Sequence, residues 1–173
     1  EPTGLDPKKA MVERSVPKKA YKNAILAWEM NGDPLPNSHG GPLRTITPGY
    51  FGINNVKHVG KLSFTDKESD VKYMKSSYRI SPIGKKGSQY PTCWEMPVKS
   101  WITRPTDETG TVKAGKVQIV GVAMGGTKKA KNVKVSVDGG KSWKKAKFIG
   151  PDLGKFAWRQ FALETTLSTG TYT

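Results

Sequence analysis

Val133-Lys-Val-Ser-Val-Asp-Gly-Gly-Lys-Ser-Trp143 is the stretch whose reading decides the fold. Val133, Val135 and Val137 alternate with Lys134 and Ser136, the period-two pattern of a strand buried on one face. Asp138-Gly139-Gly140 supplies the positive φ that a tight turn requires, so a hairpin returning along Trp143–Phe148 is expected. Trp143 shares the parity of Lys145 and Lys147, so a bulge near the turn is expected to carry both Trp143 and Phe148 inward. Working outward, strand-like runs at Met96–Ile102, Val117–Met124 and Ala157–Leu163 are separated by turns rich in Gly, Pro, Asp and Lys. That spacing predicts a β-sandwich from residue 96 onward.

Upstream the text changes. Ala24-Ile-Leu-Ala-Trp-Glu-Met30 reads as a buried strand, followed by a turn at Asn31-Gly32-Asp33. Pro34, Pro36 and Pro42 with Gly40 and Gly41 exclude regular helix or central strand. Leu43–Thr47 alternates like a strand and stops at Pro48-Gly49. Val56–Phe64 reads as another strand, with Val59 and Leu62 pointing inward. Residues 65–95 read as a long connection between two structural units, a length that in compact proteins marks a functional segment or a linker.

Composition bounds the partners. The chain carries 29 Lys plus Arg against 14 Asp plus Glu in 173 residues, a formal charge of +15. Val, Leu, Ile and Phe make up just under a fifth of it, so one or two small domains with a thin core are expected rather than one large core. The apolar runs are of strand length, well short of the roughly 20 residues that span a bilayer. The single cysteine, Cys93, excludes an internal disulfide framework and a Cys-rich metal site, and no metal ligand is assigned. The surplus charge favours anionic partners. Ten lysines lie between residues 113 and 147 with Asp138 as the only acid, but stacking aromatics and RNA-binding motifs are lacking. A solvated face is preferred there to a nucleic-acid surface.

Three sets of residues can carry chemistry. His39, in the proline-pinned loop, and Arg44, opening the next strand, suit a phosphate or other oxyanion. Gly49–Lys57, with Asn55 and Lys57 ahead of a strand, offers backbone N–H groups and a cation to an anion. Tyr78, between Lys75 and Arg79, can present its hydroxyl to an anionic substrate. On spacing alone each of these three also reads as an ordinary surface or packing feature, and that plainer reading is favoured. Cys93, between Thr92 and Trp94, reads as structural.

Taken together the segments resemble the sulfite oxidase family of molybdopterin enzymes. The resemblance is carried by Leu26-Ala-Trp-Glu-Met-Asn-Gly32, Pro34-Leu-Pro36, His39-Gly-Gly-Pro-Leu-Arg44, Pro48-Gly49, Gly52 and Val56-Lys57. Met96-Pro-Val-Lys-Ser100, Gly121-Val-Ala123, Val135–Trp143 and Ala157-Trp-Arg159 carry it further along the chain. The ordered succession of the two strings is specific; either alone is much weaker.

The resemblance implies a mainly β fold with some α. Residues 1–66 would be the C-terminal part of a molybdopterin-binding domain. Residues 67–95 would be a connecting segment carrying the active-site tyrosine, and 96–173 an immunoglobulin-like dimerisation domain. Such a domain takes about 100 residues, so an incomplete sandwich is expected, as is a missing upstream half bearing the molybdenum-ligating cysteine. Carried over, His39, Arg44, Asn55, Val56 and Lys57 bind the molybdenum–molybdopterin cofactor, Asp6 is a further contact, and Tyr78 is catalytic. The implied activity is oxidation of sulfite to sulfate, with electrons passed to a cytochrome c or haem subunit. A homodimer through the sandwich and a periplasmic location of bacterial type follow from the same likeness. Sulfane dehydrogenase and nitrate reductase share much of the pattern. A non-catalytic basic sandwich binding an acidic protein is the alternative of a different class.

Overall fold

The structure, a computed structural model, describes residues 12–172. It is mainly β with short helical turns, and it divides into two compact units, Glu1–Met96 and Pro97–Thr173. Asp6 lies outside the described residues.

In the first unit, β1 (Ile25–Ala27) pairs antiparallel with β4 (Arg44–Ile46), setting Ala27 opposite Arg44. Between them β2 (Glu29–Met30) and β3 (Asp33–Pro34) form a minimal hairpin. Its turn residues Asn31 and Gly32 both have positive φ, 58° and 91°, the geometry that matches strand twist. The stretch 24–30 is therefore two short strands rather than one. Nor is it buried: Ile25 and Trp28 are 57% and 62% exposed. β1 has a single neighbouring strand, and no layer of described residues covers its face.

The expected strand at Val56–Phe64 does not form. Thr45 and Val56 exchange hydrogen bonds and Val59 N–H still donates to Leu43 O (2.8 Å), but His58 between them turns into the left-handed region (φ 51°), so no continuous strand forms. Leu62 is accordingly exposed, not inward. Residues 67–95, read from the sequence as a connection, are fastened to the first unit. Ser69 N–H donates to Ser15 Oγ (2.9 Å), Trp94 Nε1 to Ser15 O (3.1 Å) and Phe51 N–H to Trp94 O (2.9 Å). Within this segment lies α1 (Lys72–Lys75), whose Met74 is fully buried.

The second unit is an antiparallel sheet of β5 (Lys99–Arg104), β6 (Gly115–Met124), β7 (Val133–Val135), β8 (Lys144–Ile149) and β9 (Arg159–Leu167), in the order β5-β6-β9-β8-β7. β8 serves two neighbours: Lys144–Ala146 pair with β7, and Lys147–Ile149 pair with β9. The core is Val117, Ile119, Ala123, Val135, Ala146, Phe161 and Leu163, with Val133, Val137 and Phe148 packed on it. This is the alternation read from the sequence. Trp143 departs from it. Asp138 accepts hydrogen bonds from both the amide and the hydroxyl of Ser142, so the turn runs through Ser142 and β8 starts only at Lys144. Trp143 is left 58% exposed, its Nε1 donating to Gly140 O.

Candidate functional site

The proline-pinned loop closes into a compact turn. Pro36 leads into a 3₁₀ turn over Asn37–His39, and Gly40, at φ 99°, donates back to Asn37 O at 2.9 Å. Only glycine fits there, because a Cβ on Gly40 would stand 2.6 Å from Lys57 Cγ. Lys57 thus lies along the turn and reaches its carbonyl end, Nζ donating to Ser38 O at 2.7 Å. Arg44 reaches the next carbonyl, Nη1 donating to His39 O at 2.6 Å. His58 completes the wrap: its N–H donates to Gly40 O (3.1 Å), and its Nδ1 meets Gly41 O at 2.7 Å. A carbonyl partner requires the proton on Nδ1, which leaves Nε2 as the acceptor nitrogen of the neutral ring.

Sequence-distant cations therefore converge on one four-residue turn. His39, exposed, and Arg44 and Lys57 belong to this cluster, which the sequence reading splits into two sets and only the resemblance joins. His58 was missed, although it directly follows Lys57. Asn55 and Val56 do a different job in the same place. Asn55 Oδ1 accepts from Thr47 N–H (2.7 Å), and Val56 exchanges bonds with Thr45, its N–H reaching Thr45 Oγ1 at 2.8 Å. These bonds fasten the chain just ahead of Lys57 to β4 and so aim the lysine.

A second cluster surrounds Tyr78. This residue has φ 53°, a conformation that costs an aromatic L-residue roughly 1–2 kcal/mol. The surroundings over-determine it. Tyr78 O accepts Cys93 N–H at 2.8 Å, Ile80 N–H donates to Pro91 O, and Arg79 bridges to Thr92. Arg79 Nη2 donates to Met74 O (2.7 Å) and Nη1 to Tyr90 O (3.1 Å). The residue is 48% exposed, and its ring lies 6.2 Å from that of Tyr73.

Beneath it sits Arg14, only 9% exposed, which no sequence feature singled out. Its Nε and Nη2 donate to Asn54 Oδ1, Nη1 donates to Tyr73 O, and Cζ is 6.0 Å from the centroid of the Tyr78 ring. Burial pulls the Arg14 pKa below its usual value, and the neighbouring Arg79 charge works in the same direction. Two guanidinium groups are thus brought together beside a half-exposed phenol at the carbonyl end of α1. Cys93 is a free thiol whose peptide, not its sulfur, makes these bonds. Among the described residues no group of three or more His, Cys, Asp or Glu side chains could hold a metal, and no helix is long and apolar enough to cross a membrane.

Residues 1–73 match the family model described as the oxidoreductase molybdopterin binding domain, and residues 90–172 match the Mo-co oxidoreductase dimerisation domain. The mitochondrial sulfite oxidase of Macaca fascicularis is 37% identical over 155 residues, which are 84% of this chain and 28% of that protein. This chain belongs to the sulfite oxidase family of molybdopterin proteins. Within the family, the crystal structure of the sulfane dehydrogenase SoxCD from Paracoccus pantotrophus superposes with a TM-score of 0.75 at 33% identity, covering 89% of this chain and 39% of that one. The NADPH nitrate reductase of Fusarium oxysporum is 29% identical over 76% of this chain and 16% of its own length. The chain thus spans well under half the length of these relatives.

Membership implies a molybdenum cofactor carried on a molybdopterin. The turn cluster fits such a group. Arg44, Lys57 and His39 are donors suited to a phosphate, and among the described residues Arg44 Nε is buried without a hydrogen-bond partner. The immunoglobulin-like sandwich of the dimerisation domain is the second unit described above, and the mainly β fold accords with the sequence reading.

Proposed function

We propose that the protein works as the cofactor-clamping and tyrosine-bearing part of a molybdenum oxidoreductase that oxidises sulfite to sulfate. In the net reaction sulfite and water give sulfate, two protons and two electrons. The electrons leave singly to a cytochrome c or haem subunit. The bound cofactor supplies the oxygen-atom transfer and the two-electron redox change. The residues of this chain bind and orient. Arg44, Lys57 and His39 hold the anionic end of the cofactor, with Asn55 and Val56 aligning Lys57, and Asp6 is the further contact expected from the resemblance. Tyr78 donates its hydroxyl to an oxygen of the substrate anion and holds a proton there, in a field made favourable to anions by Arg14 and Arg79.

The observation that carries this reading is Tyr78 itself: a half-exposed phenol, held in a left-handed conformation over a buried guanidinium. The likeness to a sulfane dehydrogenase structure favours, as the second reading, a sulfur-bound substrate other than sulfite. The sandwich unit serves as a homodimer contact, and the protein is periplasmic, as the bacterial part of the family is.

The test uses the complete purified protein. Stoichiometric molybdenum with sulfite-dependent reduction of cytochrome c is the expected result. Sulfane- or nitrate-linked turnover without sulfite turnover transfers the assignment to the corresponding relative. Protein that never acquires molybdenum sinks the proposal.

A further inference from the structure

Three residues close a circuit with Tyr78. Arg14 donates through Nε (3.3 Å) and Nη2 (3.2 Å) to Asn54 Oδ1. Asn54 Nδ2 donates to Cys93 O at 2.9 Å, and Cys93 N–H donates to Tyr78 O at 2.8 Å. The circuit closes where the Arg14 guanidinium faces the Tyr78 ring, 6.0 Å from its centroid. The third arm of Arg14 reaches Tyr73 O, in the helix that leads to Tyr78.

We infer that Arg14 is the positioning residue of Tyr78: its guanidinium, anchored on Asn54 and the Tyr73 carbonyl, sets the direction of the phenol. The inference rests on the reading of Tyr78 as a catalytic residue. Arg79 does not share this role, since its bonds go to the main-chain carbonyls of Met74 and Tyr90 and stabilise the frame. The task suits arginine. A planar fork places two donors on one carboxamide oxygen and a third on a carbonyl while its central carbon stands over a ring; an ammonium group cannot do all three. Asn54 fits as the anchor because it is 2% exposed and spends its amide hydrogens on the carbonyls of Phe51, Cys93 and Trp94.

The test compares Arg14→Lys, Tyr78→Phe and the double variant in the complete, molybdenum-loaded protein. Steady-state sulfite kinetics are measured beside hydrogen exchange of the Cys93 amide. Each single change should lower kcat/KM about tenfold, and the double should lose no more than Tyr78→Phe alone, because Arg14 acts through Tyr78. Molybdenum content should not change. The Cys93 amide should exchange faster in Arg14→Lys, while amides of Val117–Met124 keep their protection. Losses that multiply in the double variant overturn the inference, as does an Arg14→Lys protein with unaltered kinetics and exchange. If Tyr78→Phe alone leaves sulfite turnover intact, the catalytic reading of Tyr78 falls, and Cys93 exchange in Arg14→Lys then decides whether the clamp exists. Should Arg14→Lys fail to load molybdenum, Arg14→Met repeats the comparison with the aliphatic stem retained.

Discussion

Arg14 and Asn54, forty residues apart, are joined by two donors of one guanidinium on a single carboxamide oxygen. Asn54 in turn donates to the carbonyls of residues 51, 93 and 94. One buried side chain thus ties together the start, middle and end of the described first unit.

Asn54→Ala should therefore destabilise the first unit by about 2–4 kcal/mol, because Arg14 and several carbonyls lose a buried partner at once. Urea unfolding followed by the fluorescence of Trp94, in that unit, measures it. A change below ~0.5 kcal/mol would show that water replaces these bonds without cost.

Gly40→Ala meets two obstacles. Its φ of 99° strains any L side chain, and the new Cβ would overlap Lys57. Lys57 must leave the turn, so molybdenum per purified chain should fall while the melting of the sandwich unit stays the same. Full metal occupancy in this variant would detach Lys57 from cofactor binding.

Arg44→Ala should lower cofactor occupancy more than Arg44→Lys. Lysine keeps the charge but not the fork that bonds His39 O and leaves a second donor for a phosphate. Metal analysis of the two variants side by side gives the order, and equal occupancy would mean that charge alone matters.

The hairpin turn carries an acid-sensitive element. Bonds from the hydroxyl and amide of Ser142, and then from the Ser136 hydroxyl, pull the Asp138 pKa down from 3.8 to about 2. A depressed carboxylate pKa means that the unfolded chain binds the proton more readily than the folded one. Its contribution to stability is therefore whole above about pH 4 and is lost as pH falls toward about 2. Ser142→Ala should flatten the stability-versus-pH curve of the second unit between these values. An unchanged acid limb in thermal melts would remove Asp138 from the acid response.

Phe161 is 2% exposed and sits opposite Gly121 at the centre of the sandwich core. Phe161→Ala should cost about 3–5 kcal/mol, close to the whole stability of a small domain, and leave the second unit unfolded at room temperature. Retention of the β-sheet circular dichroism signal would contradict this.

What the sequence determined by itself was local. The Val133–Val137 alternation and its Asp-Gly-Gly turn identify a hairpin because strand side chains alternate and glycine tolerates positive φ, and neither fact needs a partner. The position of Trp143 was not legible in the same way, since the Asp138–Ser142 bonds that extend the turn become visible only once the turn exists. Residues 24–30 misled for the opposite reason: their apolar character signals a strand, but burial depends on what packs over it.

The candidate site divides along the same line. His39, Arg44 and Lys57 stand in an ordered string that is visible in the sequence, and the structure gathers them on one turn through Gly40. Arg14 was not legible, because a single arginine before Ser-Val-Pro has no local signature. Its role arises from hydrogen bonds to residues 54 and 73 and from a ring at residue 78. Only the tertiary fold decides those contacts, since directional bonds between sequence-distant groups form where the chain is already packed.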